Sequence, residues 1–236
     1  MRERTRNIPL YVVPLVVALL PIIGINASYL IAASMGHVPW CNPYLDGCTS
    51  ISATGRHPPE AFVFRATSIP QAVLLMLFWP LAVRWLRQLG DAANRAQTAI
   101  VILGVTAGVF LIVYATVLGE VGQYYRLERQ LGATVFFAFT FLAQLILTQR
   151  VVVLARKDDT GPSSRYTRGL LAPCVAMFAV GLLSVVWQLL WDDYERVEDA
   201  IEWTFAILVA LWFIPVSLAW RGTGFSARLR TTADNL

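Results

Sequence analysis

The chain has 236 residues, 57% of them apolar and only 14% charged, with a mean hydropathy of +0.58. A soluble domain carries about 25% charged residues, so this is a membrane composition, and six spans of about 20 residues each leave no room for a separate soluble domain. The net charge of +4 comes from arginines set between apolar runs, with no basic run interleaved with aromatics, so it gives no sign of a nucleic-acid partner and none is expected.

Lys157 is the single lysine, an arginine bias that points to a GC-rich, bacterial source. After a charged head (Arg2, Glu3, Arg4, Arg6), an apolar run extends over residues 8–35, broken only by Asn26, Ser28, Tyr29 and Ser34. A signal-peptide core is about 7–15 residues long, so this run reads as a retained first span. Pro14 and Pro21 fall on one face and predict a bend.

A polar stretch follows from Trp40 to Arg65. It holds Cys41, Cys48 and His57, and begins just after His37. Cys41 and Cys48 predict a local disulfide in an oxidising compartment. Free thiols and a metal site with both histidines are the alternatives, although the spacing matches no standard zinc pattern. Ser50, Ser52 and Thr54 stand in no nucleophile elbow and read as turn and cap hydroxyls.

Pro58-Pro59-Glu60 starts the second span, at residues 61–86, with Pro70 as a kink. The third span, 98–118, carries Gly104 and Gly108, a small-residue face for close helix packing. A charged loop (119–130) precedes span four at 131–148. A polar loop containing Asp158-Asp159 and Gly161-Pro162 precedes span five at 169–191, where Cys174 reads as core. Gln144 and Gln188 are placed to hydrogen-bond across helices. An acidic segment (192–199) leads into span six at 200–220, where Asp192 and Arg196 are spaced to pair, and the tail from Arg221 reads as loose.

Fourteen of the nineteen basic residues fall on one side of this topology, and ten of the fifteen acidic residues on the other. By the positive-inside rule both termini are inside and the Trp40–Arg65 stretch is outside. Trp40, Tyr44, Tyr124, Tyr125, Trp191, Tyr194 and Trp203 then form an outer aromatic belt, and Trp79, Trp85 and Trp220 an inner one. No cofactor or metal motif is present. The absence of charge at mid-span and of an internal repeat argues against a transporter.

Ionisable groups near the apolar slab face a cavity or a partner. Arg65, Glu120, Glu128 and Glu202 all belong to the outer half and are expected to converge on one chamber. The competing reading is a set of Arg–Glu clamps between helices. In the chamber reading, Glu202, Glu128 and His57 are the catalytic candidates. Arg65, Glu120, Arg129, Thr54, Gly55 and Glu60 are the candidate lipid-headgroup contacts.

Several short motifs resemble one family. Ser52-Ala53-Thr54-Gly55 with Pro59-Glu60 and Phe64 is similar to the first outer loop of the FRAG/DRAM/SFK superfamily of six-span proteins. Ala200-Ile201-Glu202-Trp203 is similar to its last span, and Gly132-Ala133 with Phe136-Phe137 to its fourth. Cys41, Pro43-Tyr44-Leu45 and Arg65 resemble most the branch of the second post-GPI-attachment-to-proteins factor. The chain departs from the pattern at Ala53, where Asp is frequent, and at Arg129, where His is frequent. The resemblance implies an all-α, six-span bundle that handles an outer-leaflet or lumenal lipid, with GPI-anchor fatty-acid remodelling as the nearest activity. The alternative is a non-enzymatic scaffold or regulator of a partner membrane protein or of lipid distribution. The expected membrane is the plasma membrane in a bacterium, and the Golgi, ER or lysosomal membrane in a eukaryote.

Overall fold

A computed structural model of the chain describes residues 4–157, 164–190 and 195–231. The fold is an all-α membrane bundle. Its elements in order are β1 (Arg4–Pro9), α1 (Val12–Ser34), α2 (Pro43–Asp46), a 3-10 turn (Ala53–Gly55), α3 (Glu60–Gln88), α4 (Arg95–Val117), α5 (Gln123–Lys157), α6 (Ser164–Leu190), α7 (Glu195–Leu211), α8 (Phe213–Gly222) and β2 (Ser226–Thr231). Six helical segments are long and apolar enough to cross a membrane: α1, α3, α4, α5, α6, and α7 with α8 as one path.

The expected spans differ from the helices in two ways. First, α5 runs for 35 residues, much longer than the expected fourth span. At 1.5 Å per residue it reaches about 52 Å, against an apolar slab of about 30 Å. Its first turns, rich in Gln, Arg and Glu, are good helix formers and continue beyond the slab. Second, the last span breaks at Trp212. Pro215 has no N–H to donate to the Leu211 carbonyl, and its ring crowds that carbonyl, so α7 ends and α8 restarts with Pro215 in its first turn.

The helices approach closely where the sequence supplies small residues. A Cβ at Gly104 would overlap the Trp79 ring, and one at Gly108 would meet Met76 and the Ala72 carbonyl. The Gly104/Gly108 face therefore packs α4 onto α3, as expected. Cys174 is buried against Thr148. Gln144 donates from Nε2 to the Val209 carbonyl at 2.9 Å, tying α5 to α7, whereas Gln188 is exposed.

At one end of the bundle, here the terminal end, an aromatic cluster fills the core. Phe78 stacks on Trp220 at 5.4 Å and meets Phe213 edge-on at 5.0 Å, and Trp79 stacks on Trp212 at 6.3 Å. Trp79, Trp85 and Trp220 are completely buried. That corrects their reading as an interfacial belt: they face the other helices, not the bilayer surface. Trp203 is likewise buried rather than a belt residue, while Trp40 and Tyr124 are exposed. Trp191 and Tyr194, the Asp158–Pro162 loop and the proposed Asp192 partner of Arg196 lie outside the described residues.

As far as Thr231, the tail is not loose. β2 pairs antiparallel with β1, with Ile8 opposite Ala227 and Pro9 opposite Ser226. Phe225 anchors the pair by packing on Trp220 at 4.8 Å. Nearby, the α3–α4 connection is pinned to α5. Asp91, 5% exposed, takes a two-pronged ion pair from the Nε and Nη2 of Arg150 and a further bond from Gln97 at 3.1 Å. Arg87 donates from Nε to the Gln97 side-chain Oε1 at 2.9 Å, and Asn94 Oδ1 caps α4 by accepting from Gln97 N–H at 3.0 Å. Burial pushes the Asp91 carboxyl up. The Arg150, Gln97 and Asn94 hydrogen bonds and the Arg150 charge outweigh it and leave the group below its ordinary range.

Candidate functional site: a charged vestibule over a narrow apolar cavity

The other end of the bundle, the cap end, carries the Trp40–Arg65 stretch. Cys41 and Cys48 form a disulfide across α2, seven residues apart. Asn42 caps α2 by accepting from Tyr44 N–H at 3.1 Å, and Gly47 ends it in the left-handed region at φ 56°. The Tyr29 hydroxyl on α1 accepts from Cys41 N–H at 2.9 Å and donates to the Cys41 carbonyl at 2.6 Å. Asn26 bonds the Tyr44 hydroxyl at 2.8 Å, and the Tyr44 ring meets Trp203 at 5.1 Å. Trp203 in turn donates from Nε1 to the Thr49 carbonyl at 2.8 Å. The cap is thus fastened to α1 and α7.

The Ser52–Gly55 motif builds the next turn. Thr54, fully buried, donates its hydroxyl to the Ile51 carbonyl at 2.8 Å. Gly55 sits where a Cβ would strike Leu118 and Phe64, at 2.7 and 2.8 Å. Glu60 is completely buried and its Oε1 lies 2.6 Å from His37 Nδ1, while Oε2 has no partner. His37 and His57 rings lie 5.0 Å apart. Among the described residues no three of His, Cys, Asp and Glu gather as a metal-binding group.

Arg65 does not pair with a glutamate. It donates to the Ala115 carbonyl at 3.3 Å and the Leu118 carbonyl at 2.6 Å, closing the C-terminal end of α4. Helix ends leave such carbonyls unpaired and carry partial negative charge, so a guanidinium there is satisfied without a carboxylate. Among the described residues the ion pairs are His37–Glu60 and Arg150–Asp91, so the Arg–Glu clamps between helices are not the arrangement either.

What the cap end does enclose is a two-part cavity. A vestibule of about 650 Å³ opens between the cap turn, the start of α5 and the start of α7. Arg56, Arg126 and Arg129 line it together with Glu198, Asp199 and Glu202. Below it, a narrow slot of about 60 Å³ runs into the bundle, walled by residues such as Phe64, Leu111, Phe136 and Phe213. Tyr114, Ala133 and Glu202 line both parts and form the threshold between them. Ser68, Gln71 and Thr140 put polar groups on the slot wall, and the Thr140 hydroxyl has no partner. Glu202 Oε2 accepts from Ile51 N–H at 3.3 Å, joining α7 to the cap turn.

A side pocket of about 480 Å³ adjoins the vestibule through the shared Arg56, Arg126 and Arg129, and holds His57 and Glu120. Arg129 donates to the Glu120 carbonyl at 2.7 Å. Of the residues singled out in the sequence, the structure brings together Glu202 and Arg129 in the vestibule, with His57 and Glu120 next door. Glu128 lines neither space, and Arg65, Thr54, Gly55 and Glu60 are engaged within the cap. Sequence reasoning passed over Arg56, Arg126, Tyr114, Glu198 and Asp199. Glu198 and Asp199 lie in the acidic segment before span six and Arg126 in the charged loop before span four, and no spacing in the sequence joins them to Arg56.

A family model, the Frag1/DRAM/Sfk1/Cwh43P N-terminal domain, matches residues 9–220. No curated protein and no solved structure matches the chain significantly. The match spans every membrane-crossing helix and both motif-bearing ends of the vestibule, and the chain belongs to the Frag1/DRAM/Sfk1/Cwh43P family.

Proposed function

We propose that this protein handles a membrane lipid at the cap end, which the charge asymmetry assigns to the outer or lumenal leaflet. The headgroup enters the vestibule, and the slot below takes a few methylenes or about four water-sized occupants. One observation carries the reading: the threshold of Glu202, Tyr114 and Ala133 joins a charged space to an apolar one inside the helix bundle. An amphiphile is the ligand class that matches both halves. Unpaired charge near the slab is costly without a ligand or water to meet it.

The finer form of the proposal is acyl remodelling of that lipid, as in the GPI-anchor branch that the motifs resemble. Glu202 is the base candidate, because it lines both spaces and faces the point where headgroup and chain would meet. His57, in the side pocket, is the next candidate for proton transfer. The test is native mass spectrometry of the protein purified in mild detergent, followed by lipid profiling of cells carrying Glu202→Gln. Retained phospholipid, with an altered acyl profile in the variant, supports the proposal. A lipid-free protein would sink the handling reading, and an unchanged profile with lipid still retained would sink the chemical role alone.

A scaffold role is favoured by a different observation. Only 17% of the apolar window of α6 is buried, and Leu171, Val175, Phe178, Leu182 and Leu189 are exposed along it. That stripe suits either bilayer chains or a partner helix. Site-directed crosslinking from Phe178 separates them: a single protein adduct speaks for a scaffold, lipid adducts alone against it.

A further inference from the structure

We infer that the vestibule selects a zwitterionic headgroup, with a phosphate on its arginine wall and a primary ammonium on its carboxylate wall. This rests on the lipid-handling reading above and names the ligand within it.

The two walls come from different elements. Arg56 belongs to the cap turn and Arg126 and Arg129 to the start of α5. Glu198, Asp199 and Glu202 belong to the start of α7. Six charges of opposite sign share one space of about 650 Å³. Salt bridges across it would close it, but none forms: the two ion pairs among the described residues, His37–Glu60 and Arg150–Asp91, lie elsewhere. Arg56 is held at 3.1 Å by the Ser52 hydroxyl and Arg129 at 2.7 Å by the Glu120 carbonyl. These bonds aim the guanidinium groups without neutralising them. The side chains of Arg126, Glu198 and Asp199 make no hydrogen bond or ion pair among the described residues.

A second observation points to a ligand independently of the charges. The Thr140 hydroxyl is fully buried, has no hydrogen-bond partner, and lines the slot that meets the vestibule at Tyr114, Ala133 and Glu202. Buried hydroxyls normally find a partner, so this one is placed for a group that enters the site.

The chemistry of the ligand follows. An anionic headgroup without an amine would satisfy the arginines but face the three carboxylates. A purely cationic one would meet the reverse. A phosphate and an ammonium joined by a short carbon spacer satisfy both walls at once. Guanidinium groups suit phosphate oxygens through paired N–H donors, and carboxylates accept ammonium N–H groups. Tyr114 is then in place to donate to the phosphate or to the ester region beneath it.

The test compares short-chain phosphatidylethanolamine with short-chain phosphatidylglycerol, binding to the full-length protein in detergent micelles. Wild-type protein is expected to prefer the ethanolamine lipid by about tenfold. Glu198→Gln with Asp199→Asn should bring that ratio to within about twofold while keeping phosphate-dependent binding. Arg126→Ala should weaken both lipids together. Thermal unfolding of each variant confirms the fold; Arg126 and Glu198 are exposed and Asp199 is partly so. If phosphatidylglycerol binds as tightly as the ethanolamine lipid, or if the preference survives in the double variant, the zwitterion inference is overturned and lipid handling stands. If neither lipid binds, both readings fall. Free phosphoethanolamine that competes as well as the lipid would show a soluble ligand, and would overturn the lipid source.

Discussion

The two ends of the bundle treat charge and aromatic surface in opposite ways. At the terminal end the buried carboxylate Asp91 is met by a guanidinium and two amides, and large rings fill the space between helices. At the cap end three arginines and three carboxylates line a void, and a buried threonine hydroxyl on the wall of the adjoining slot has no partner. The same chain can evidently pair its charges, since it does so around Asp91. His37 and Glu60 pair within the cap as well, so the open charge is a property of the vestibule and not of the whole end: its six charged side chains form no ion pair with one another.

Substitutions can break this contrast. The largest effect is expected at Trp212, stacked on Trp79 and donating to the Thr148 hydroxyl at 3.1 Å. Trp212→Ala should destabilise the protein by about 4 kcal/mol, read as a lowered unfolding midpoint in detergent. Asp91→Asn comes next, at about 3 kcal/mol, because it leaves Arg150 without its partner. Its pH dependence has a definite sign. The Asp91 carboxyl is held below its ordinary range, so its contribution is complete above the unfolded value and is lost as pH falls through the lowered folded value. Wild type should lose stability in that acid window, and the Asn variant should show a flatter profile there.

Removing the Cys41–Cys48 disulfide with a double serine substitution should cost about 2 kcal/mol, given the short loop it closes. The smallest stability change, within about 0.5 kcal/mol, is expected for Glu198→Gln with Asp199→Asn. Together these sharpen the comparison: a vestibule whose charges served the fold would instead show losses as large as Asp91→Asn.

Much of the bundle could be read from the chain because each span carries its own hydropathy, and because Gly104 and Gly108 announce a close helix approach. The Cys41–Cys48 bridge was legible because both cysteines sit in one short loop. Other features depend on residues far apart in sequence. Nothing in residues 4–9 alone reveals that residues 226–231 pair with them. Trp85 and Trp220 look like interfacial aromatics until Phe225 and the neighbouring helices cover them. Arg65 looked like a partner for glutamate because the carbonyls of Ala115 and Leu118 carry no sequence signal as acceptors. The vestibule was half legible: Glu202 and Arg129 stood out, one as a carboxylate in an apolar setting and the other through the family likeness. Arg56, Arg126 and Asp199 read as ordinary loop charge, because only the folded cap sets them around one space.

The account's central claim is tested most directly by photo-crosslinking with a diazirine-bearing phospholipid in reconstituted bilayers, followed by peptide mapping. The account predicts adducts on the start of α5 around Arg126–Thr134 and on α7 around Glu198–Trp203, both suppressed by Arg126→Ala with Arg129→Ala. Adducts confined to the exposed face of α6, with the vestibule peptides unlabelled, would contradict it.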